Sequence, residues 1–473
     1  MSKVYIPRAQ PLIPSRARQD HYKKGISMLV VCVITLSLLV IGLANYFYRQ
    51  NKKEEVTRTK EIEKTKESSN STVIPIKSST IEVQADKPIK ITNTEDIKAL
   101  GYTGQKKIVK DTFGNVYIAY RNKYDGEYQI FVAKLVRQPG GGYKALYTNR
   151  PIANLGDDAT QRVPSISIAE DNTLYVTWYG LEEKKGIGRQ VKFASSKDLG
   201  ATWSKWKNIA VVSGYDESED YWQEHPSIAS RSENLYVVWE GKDKDFSEQQ
   251  VKFTKSTDGG NTWLPWKNIH TASDHTQSRP VIVLTDDGSL HVLMYSNDGD
   301  SQQIWYSESS DEGLTWTEWK NISNSVFDSR HVDVVAVENK LHAVWREYIE
   351  EKAVIKYSVF ESGSWSAAQV LKNSSKHQLF PSIHSVADMV AITWTETADS
   401  SDLPREAPSS GVVNYAILEP SSNELKFGNL EASSDTLYSH ILIDSYSPPR
   451  ILITALLNES DRQSIWLYPL TLR

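Results

Sequence analysis

Three arginines stand at the start of alternating apolar runs, where their side chains have chemistry to offer. They are Arg162 in QRVPSISI, Arg279 in SRPVIVL and Arg330 in SRHVDVV. A guanidinium group is a rigid fork of N–H donors that binds a planar anion through two hydrogen bonds. Three such groups meeting at one point would clamp a carboxylate or a sulfate. The alternative is that each pairs with a neighbouring glutamate and only covers the end of a sheet.

A second set of titratable residues occupies matching places in the chain. Glu224 and His225 begin the run EHPSIA, and Glu240 ends the run that follows it. We therefore expect these three to join the arginines as ligand-binding residues. Equivalent runs end with Tyr179, Arg346, Glu347, Tyr348 and Glu396.

These runs are equivalent because the chain contains a repeat. Three segments, starting at Ser196, Ser256 and Ser309, share Ser-x-Asp-x-Gly-x-Thr-Trp followed by x-x-Trp-Lys-Asn-Ile. Ser, Asp and Thr side chains bond nearby backbone N–H groups and Gly adopts positive φ, so the motif predicts a rigid turn between two strands. The turn uses these groups locally, which favours a structural role for the aspartates over catalysis or metal binding.

The same register predicts a ring of blades. Two apolar strands precede each turn, and weaker copies begin at Gln105, Leu379 and Tyr438, so we count seven repeats at a spacing of about 50 to 60 residues. Four strands per repeat predict an all-β, seven-bladed β-propeller over residues 81–473. The last repeat has room for one strand fewer, and Ile81 to Thr92 is expected to complete it.

A propeller would bring the candidate residues to one surface. Within a blade, the start of the first strand and the end of the second share a face, while the turn motif lies on the other. The arginines, Glu224, His225 and Glu240 are thus expected around one funnel mouth.

The N-terminal part has a different composition. Residues 1–24 form a short basic tail, and residues 25–48 carry no charge over a length sufficient to cross a bilayer as one helix. We expect this helix to be an uncleaved anchor, with a cleaved signal peptide as the alternative. Residues 49–80 mix Lys with Glu and predict a charged, flexible stalk. Basic residues flank the helix on both sides, so charge does not decide its orientation. The predicted location is the cell membrane, with the tail cytoplasmic and the propeller outside.

Charge and composition exclude several functions. Thirteen of the 54 basic residues and six of the 59 acidic ones precede residue 68, which leaves a net charge of −12 on the remainder. Such a domain does not attract nucleic acid through its phosphates. The sequence offers no Gly-rich phosphate loop and no Cys/His metal set, so neither a cofactor nor a metal is expected. The single cysteine, Cys32, lies in the predicted helix.

The turn motif resembles the Asp-box, or bacterial neuraminidase repeat, of the sialidase superfamily. That resemblance implies a β-propeller whose Asp-box turns lie away from the active site; a six-bladed sialidase-like ring is the alternative architecture. The segment from Gln161 to Ile166 resembles the family's Arg-Ile-Pro signature, which implies that Arg162 holds a substrate carboxylate. Arg279 and Arg330 are assigned the same role by position. Glu224 resembles the glutamate that activates a tyrosine nucleophile, for which Tyr348 is the candidate.

One departure from the family bears on activity. Its acid/base aspartate follows the second strand of the blade that carries the arginine signature, but here that strand ends Thr-Trp-Tyr-Gly at Gly180 without one. Glycosidic cleavage needs a positioned proton donor. We therefore expect a binding role, toward a surface glycan or a protein partner outside the cytoplasm. A sialidase-type glycoside hydrolase and an assembly subunit of a membrane complex are the alternatives.

Overall fold

The structure is a computed structural model that describes residues 77–153, 160–181, 188–210, 222–243, 246–270, 275–299, 301–398, 410–419, 424–431, 435–459 and 462–473. The predicted tail (1–24), transmembrane helix (25–48) and most of the predicted stalk (49–80) lie outside these residues. Within the described part of the chain, no helix has the length and apolar character required to cross a membrane.

Strands account for nearly all regular structure among the described residues. The chain enters through three short strands, β1 (Lys77–Thr80), β2 (Val83–Ala85) and β3 (Ile89–Thr94). The first three sheets then follow as β4 (Ile108–Lys110), β5 (Val116–Tyr124), β6 (Glu127–Arg137) and β7 (Tyr143–Tyr147); β8 (Gln161–Ile168), β9 (Leu174–Gly180), β10 (Gln190–Ser196) and β11 (Lys207–Asn208); and β12 (Gln223–Arg231), β13 (Asn234–Asp243), β14 (Phe246–Ser256) and β15 (Lys267–Asn268).

Four further sheets complete the fold. They are β16 (Gln277–Leu284), β17 (Leu290–Asp298), β18 (Ser301–Ser309) and β19 (Lys320–Asn321); β20 (Asp328–Val337), β21 (Lys340–Ile349), β22 (Lys352–Glu361), β23 (Ser364–Trp365) and β24 (Gln369–Val370); β25 (His377–Val386), β26 (Met389–Thr397), β27 (Val412–Glu419) and β28 (Glu424–Asn429); and β29 (Asp435–Asp444), β30 (Arg450–Glu459) and β31 (Arg462–Leu472). The seven sheets are the blades of a seven-bladed β-propeller, numbered here 1 to 7. The prediction of seven blades is confirmed and the six-bladed alternative is wrong.

The blades pack face to face, which explains why their strands are apolar on both sides. One core cluster joins Val191 and Phe193 of blade 2 to Leu235 and Val237 of blade 3. A tryptophan recurs at the same place in the second strand of four blades, and all four are fully buried: Trp178, Trp239, Trp345 and Trp394. Burial of one such side chain contributes roughly 4–6 kcal/mol of transfer free energy.

The N-terminal strands close the ring, as predicted for Ile81 to Thr92. β2 and β3 both pair antiparallel with β31, which adds the missing outer strands to blade 7. β1 pairs parallel with β28 of blade 6, with Lys77 opposite Glu424. The stalk assigned to residues 49–80 is therefore too long by these four residues, because they extend a sheet edge.

The three Asp-box turns, hereafter the box turns, are built alike. In the turn at Asp258, the Ser256 hydroxyl donates to the carboxylate over 2.8 Å, Gly260 N–H donates to Ser256 Oγ over 2.9 Å, and the Thr262 hydroxyl donates to the carboxylate over 2.6 Å. The turns at Asp198 and Asp311 contain the same bonds. The carboxylates are thus used within their own turns, as the sequence predicted.

A segment without helix or strand, residues 100–107, occupies the axis of the propeller, and we call it the axial segment. Its bonds reach the inner strands of blades on all sides: His440 Nε2 with Leu100 O, the Thr103 hydroxyl to His331 O, the Ser227 hydroxyl to Gly104 O, Ile166 N–H to Lys106 O and Lys106 Nζ to Asp333. At Gly104, φ is +85° and an added Cβ would lie 2.2 Å from Val281 Cγ1. Only glycine fits there, so this residue fixes where the segment crosses the axis.

Candidate functional site

The innermost strand of six blades carries the same β-bulge. Two residues of that strand oppose one residue of its neighbour, and the first of the two has positive φ. These positive-φ residues, which we call the bulge ring, are Val163 (48°), His225 (50°), Arg279 (46°), His331 (58°), Phe380 (51°) and Tyr438 (45°).

Positive φ is unfavourable for a side chain such as valine, so its recurrence at six equivalent positions marks a backbone geometry that the fold imposes. A bulge redirects the side chain of its first residue. Here the redirected side chains meet one another across blades, because the His331 and Phe380 rings stack at 5.2 Å and the Phe380 and Tyr438 rings lie 4.7 Å apart. The bulge ring therefore lines the funnel mouth around the axis.

The bulges correct the alignment of the three candidate arginines. Arg279 is the first bulge residue of its blade, whereas Arg162 and Arg330 each precede the bulge by one position. Arg162 is exposed, and the residue opposite it is Tyr179. The three side chains therefore do not occupy equivalent positions in their blades.

Blade 3 holds a carboxylate–histidine cluster made of Glu224, His225 and Glu240. His225 Nδ1 lies 2.6 Å from Glu240 Oε1, and Glu240 Oε2 accepts the backbone N–H of Arg279 over 2.5 Å. Arg189 Nε lies 2.5 Å from Glu224 Oε1. One ligand atom from each of the three cluster residues lies within 4.8 Å of the others, a spacing that would suit a metal ion. Their partners are protein cations and N–H donors, however, so the donor set is that of a hydrogen-bonded network.

The surroundings shift the pKa values of Glu224 and Glu240 in opposite directions. Burial raises the pKa of Glu224, although the charges of His225 and Arg189 act to lower it. Burial also acts to raise the pKa of Glu240, but the charge and hydrogen bond of His225 and the charge of Arg279 outweigh it, and the pKa falls below its ordinary value. Glu240 is thus ionised and accepts only, which places a proton on His225 Nδ1.

Blades 4 and 5 hold a cationic cluster. Arg330 and Arg346 face each other directly across strands β20 and β21, an arrangement that is ordinarily destabilising for like charges. Asp328 contacts Arg330 at 2.9 Å. Arg346 is 1% exposed, and its burial together with the Arg330 charge lowers its pKa to about 10. Burial and the charges of Arg346, Arg279 and Arg330 lower the pKa of His331 well below its ordinary value, so this histidine is neutral.

Arg279 joins the two clusters. Its Cζ lies 4.0 Å from the centre of the Tyr102 ring, and that ring meets the His225 ring edge-on at 5.2 Å. Its Nη1 is buried and has no hydrogen-bond acceptor among the described residues. An arginine that contacts an aromatic ring yet has a donor to spare is suited to capturing an anion.

Other residues named from the sequence lie elsewhere. Tyr348 packs against the apolar cluster that includes Leu379, away from Glu224. Glu347 accepts from the Ser329 hydroxyl and pairs with Lys356, and Glu396 accepts from Gln378. These two glutamates have structural partners within their sheets.

The sequence analysis missed Tyr102, Tyr295 and His331. Tyr295 occupies the same place in β17 that Tyr179, Glu240 and Arg346 occupy in their strands, so extending the repeat alignment would have found it. His331 follows Arg330 and would have been found only by recognising the bulge. Tyr102 lies in the axial segment, and no repeat points to it.

Comparison with known proteins gives a fold and no family. No protein-family model matches the chain, and no curated protein matches its sequence. The solved structure of the polysaccharide lyase Uly1 matches with a TM-score of 0.50 and 11% identity, over 80% of this chain and 92% of that one. A protein of unknown function from Dyadobacter fermentans matches with a TM-score of 0.48 and 13% identity, over 83% and 99% of the two chains.

A sialidase is among the structural neighbours as well. The NanB sialidase from Streptococcus pneumoniae matches with a TM-score of 0.46 and 11% identity, over 75% of this chain and 83% of that one. The propeller that the box turns indicated, and with it the resemblance to sialidase-like proteins at the level of the fold, is confirmed by the seven blades of the structure. At such low sequence identities, the roles of residues in these proteins do not transfer to this chain.

Proposed function

We propose that this protein binds an acidic glycan at its funnel mouth, with residues 25–48 anchoring it in the cell membrane and the propeller outside the cytoplasm. The fold is one that glycan-active proteins share, which agrees with the proposal without establishing it. The residues of the mouth supply the argument.

The observation that carries the proposal is the group of three arginines that blades 4 and 5 contribute to the mouth. Arg330 lies directly opposite Arg346, and Arg279 has a buried N–H donor without an acceptor among the described residues. Each feature costs stability in the free protein. A carboxylate or sulfate that bridges these groups would offset that cost.

The remainder of the mouth suits a sugar. Phe380 and Tyr438, which are buried against each other, make the axis aromatic at blades 6 and 7, beside the polar residues of blades 3 to 5. A sugar ring likewise has an apolar face and a hydroxyl-bearing edge. The net charge of the chain, −5, disfavours a polymeric nucleic acid as the ligand.

A hydrolase of the sialidase type is supported less well. Burial, followed by the charge of Glu224, raises the pKa of Tyr179, the tyrosine nearest the candidate activating glutamate. A raised pKa keeps the phenol protonated, which opposes a role as nucleophile.

Titration calorimetry of the full-length protein with sialylated, uronate-containing and sulfated oligosaccharides tests the proposal, with neutral oligosaccharides for comparison. We expect binding of an acidic member that Arg330→Gln weakens roughly ten- to hundredfold, the range for a hydrogen bond to a charged group. Lys340→Gln removes a cation from the opposite face and should leave affinity unchanged. Equal affinity for neutral and acidic sugars would overturn the proposal.

The membrane anchor requires its own test. Protease treatment of intact cells should degrade the propeller while leaving an epitope tag at residue 1 protected. Protection of both would contradict the proposed orientation.

A further inference from the structure

The clusters around Arg279 contain groups that binding alone does not use. Tyr102, His225, Glu240 and Arg279 touch one another in a closed loop: Tyr102 meets His225, His225 bonds Glu240, Glu240 accepts from Arg279, and Arg279 lies over Tyr102. These are a proton donor, a proton acceptor, the group that orients the acceptor, and an anion-binding cation.

His225 is set up as a base. Its Nδ1 is bonded to Glu240, so Nε2 is the nitrogen left to exchange a proton with a ligand, and Nε2 is buried without a hydrogen-bond partner among the described residues. A carboxylate that orients an imidazole in this way is the common support of a histidine base. A buried acceptor without a partner is costly, and contact with a ligand proton would relieve that cost.

The half-buried Tyr102 ring, whose position is set by the axial segment, meets the His225 ring edge-on at 5.2 Å. The Arg279 guanidinium lies 4.0 Å from the centre of the same ring, and its Nη1 has no acceptor among the described residues. A carboxylate bound to Arg279 would therefore lie beside the ring that also contacts the imidazole. Withdrawal of charge by the guanidinium acidifies a hydrogen on that carbon, because the carbanion's charge moves onto the carboxylate.

Hydrolysis is served less well by the same residues. It needs two carboxyl groups across the scissile bond, one as acid and one as base or nucleophile. Glu224 is bound to Arg189, and Glu240 is bound to His225 and to the Arg279 backbone. Both carboxylates of the cluster are thus occupied by protein donors.

We propose that the mouth cleaves uronate-containing polysaccharides by β-elimination, an inference that rests on the proposed function. Arg279 holds the carboxylate, His225 is the base and Tyr102 is the acid. His225 Nε2 takes the proton from C5, and the C–H electron pair forms the C4–C5 double bond. The C4–O bond breaks, and its oxygen leaves with the electron pair and takes the Tyr102 proton. Transfer of the proton from His225 to the Tyr102 phenolate restores both groups. No water, oxidant or cofactor takes part.

The experiment incubates the full-length protein with polygalacturonate, alginate and chondroitin, and follows the ultraviolet absorbance of the new conjugated double bond. We expect an increase with one of them. His225→Gln and Tyr102→Phe should each lower the rate about a hundredfold or more, the usual contribution of a general acid or base. Phe113→Ser, at a residue that is 67% exposed on the opposite face, should match the wild-type rate.

Binding is measured on the same samples, so that the two proposals can fail separately. We expect Tyr102→Phe and His225→Gln to bind the substrate within a few-fold of wild type, which also shows that they fold. A sialoside is the matched ligand, because its carboxylate-bearing carbon has no hydrogen; it should bind without reacting. Binding of all three uronate polymers without any absorbance change, or new reducing ends without it, would overturn β-elimination alone. Absence of binding to any acidic glycan would overturn the proposed function and this inference together.

Discussion

At the box turns the chain repeats both its backbone and its residues. Asp198, Asp258 and Asp311 accept the same hydrogen bonds from the same Ser and Thr positions. At the bulge ring only the backbone repeats: φ stays between 45° and 58° while the residue changes from Val to His, Arg, Phe and Tyr. Where side-chain bonds make the turn, the residues must be kept. Where strand pairing makes the bulge, the side chain is free to serve a ligand.

The two regions also differ in what their charges do. The box carboxylates accept hydrogen bonds from donors within their own turn, whereas Arg279 at the bulge ring has an N–H donor without an acceptor among the described residues. Box substitutions should therefore change stability alone, and substitution of Arg279 at the bulge ring should change binding alone. Experiments that remove the shared scaffold should remove both.

The largest effect should come from the closing strands. Deleting residues 1–94 removes β1, β2 and β3 and exposes the edges of blades 6 and 7, so we expect loss of the cooperative thermal transition and of glycan binding. A variant that lacks only residues 1–76 is the control and should keep both. Equal melting temperatures for the two would show that the ring closes without these strands.

Gly104→Ala should have the next largest effect, and it should lower both stability and ligand affinity. The added Cβ meets Val281 and a backbone oxygen in a left-handed conformation, for which we expect a loss of roughly 2–5 kcal/mol in the free energy of unfolding. Because the axial segment carries Tyr102, ligand affinity should fall as well. Gly126→Ala is the control: it has positive φ but open space around it, so only about 1–2 kcal/mol should be lost. Urea denaturation measures both, and equal losses would show that the axis tolerates a side chain.

Arg279→Ala should act on binding. We expect acidic-glycan affinity to fall by on the order of 1.5–3 kcal/mol, as for a lost charged hydrogen bond, with an unchanged melting temperature. Arg162 is exposed and precedes its bulge, so Arg162→Ala should cost only about 0–1 kcal/mol in affinity. Calorimetric titration distinguishes the two. A larger effect at Arg162 would support the sialidase-like assignment that the sequence suggested.

Asp258→Ala should act on stability. Loss of the acceptor for the Thr262 backbone and hydroxyl should lower the melting temperature by on the order of a few degrees and leave glycan affinity unaltered. Thr257→Ala, at an exposed position of the same turn, is the control. Lost affinity in a folded Asp258→Ala protein would assign the box to function.

The smallest effect is a pH dependence of the box turns. Hydrogen bonds from Thr262 and Thr315 lower the pKa of Asp258 and Asp311 from 3.8 to about 2. A depressed carboxyl pKa stabilises the folded protein above the unfolded value and ceases to do so as pH falls through the folded one. The contribution should therefore vanish between pH about 4 and about 2, and Asp258→Ala should show a shallower loss across that window in chemical denaturation. If the wild type and Asp258→Ala lost stability equally as the pH fell, these hydrogen bonds would not be the source of the pH dependence.

The architecture was predictable because the box turns repeat residues. The turns at Asp258 and its counterparts allowed the repeats to be aligned, and the alignment predicted the number of blades. The segment left over, Ile81 to Thr92, predicted how the ring closes. The four residues of β1 escaped because their parallel partner, β28, lies more than 340 positions away and they look like the end of a charged stalk.

The site was predictable only in part, for a related reason. Arg279, His225 and Glu240 were found because they flank repeated strands. The one-residue offset of Arg279 from Arg162 was missed although proline marks it: Pro164 and Pro280 both hold the second bulge position, and Arg162 lies two residues before its proline whereas Arg279 lies one before. Tyr102 was beyond reach because it depends on where the axial segment meets partners as distant as His440.

The pairing of β2 with β31 sets an order on how the molecule can be made. Val83 pairs with Leu472, and at a translation rate of roughly 5–20 residues per second the ribosome adds Leu472 roughly 20–80 s after Val83. Until β31 is made, β2 and β3 have no partner and blade 7 is incomplete, while blades 2 to 5 already have all the residues they need. Assembly on the ribosome should thus proceed as an open arc that grows blade by blade, and chains halted near their end should accumulate as arcs with two reactive edges.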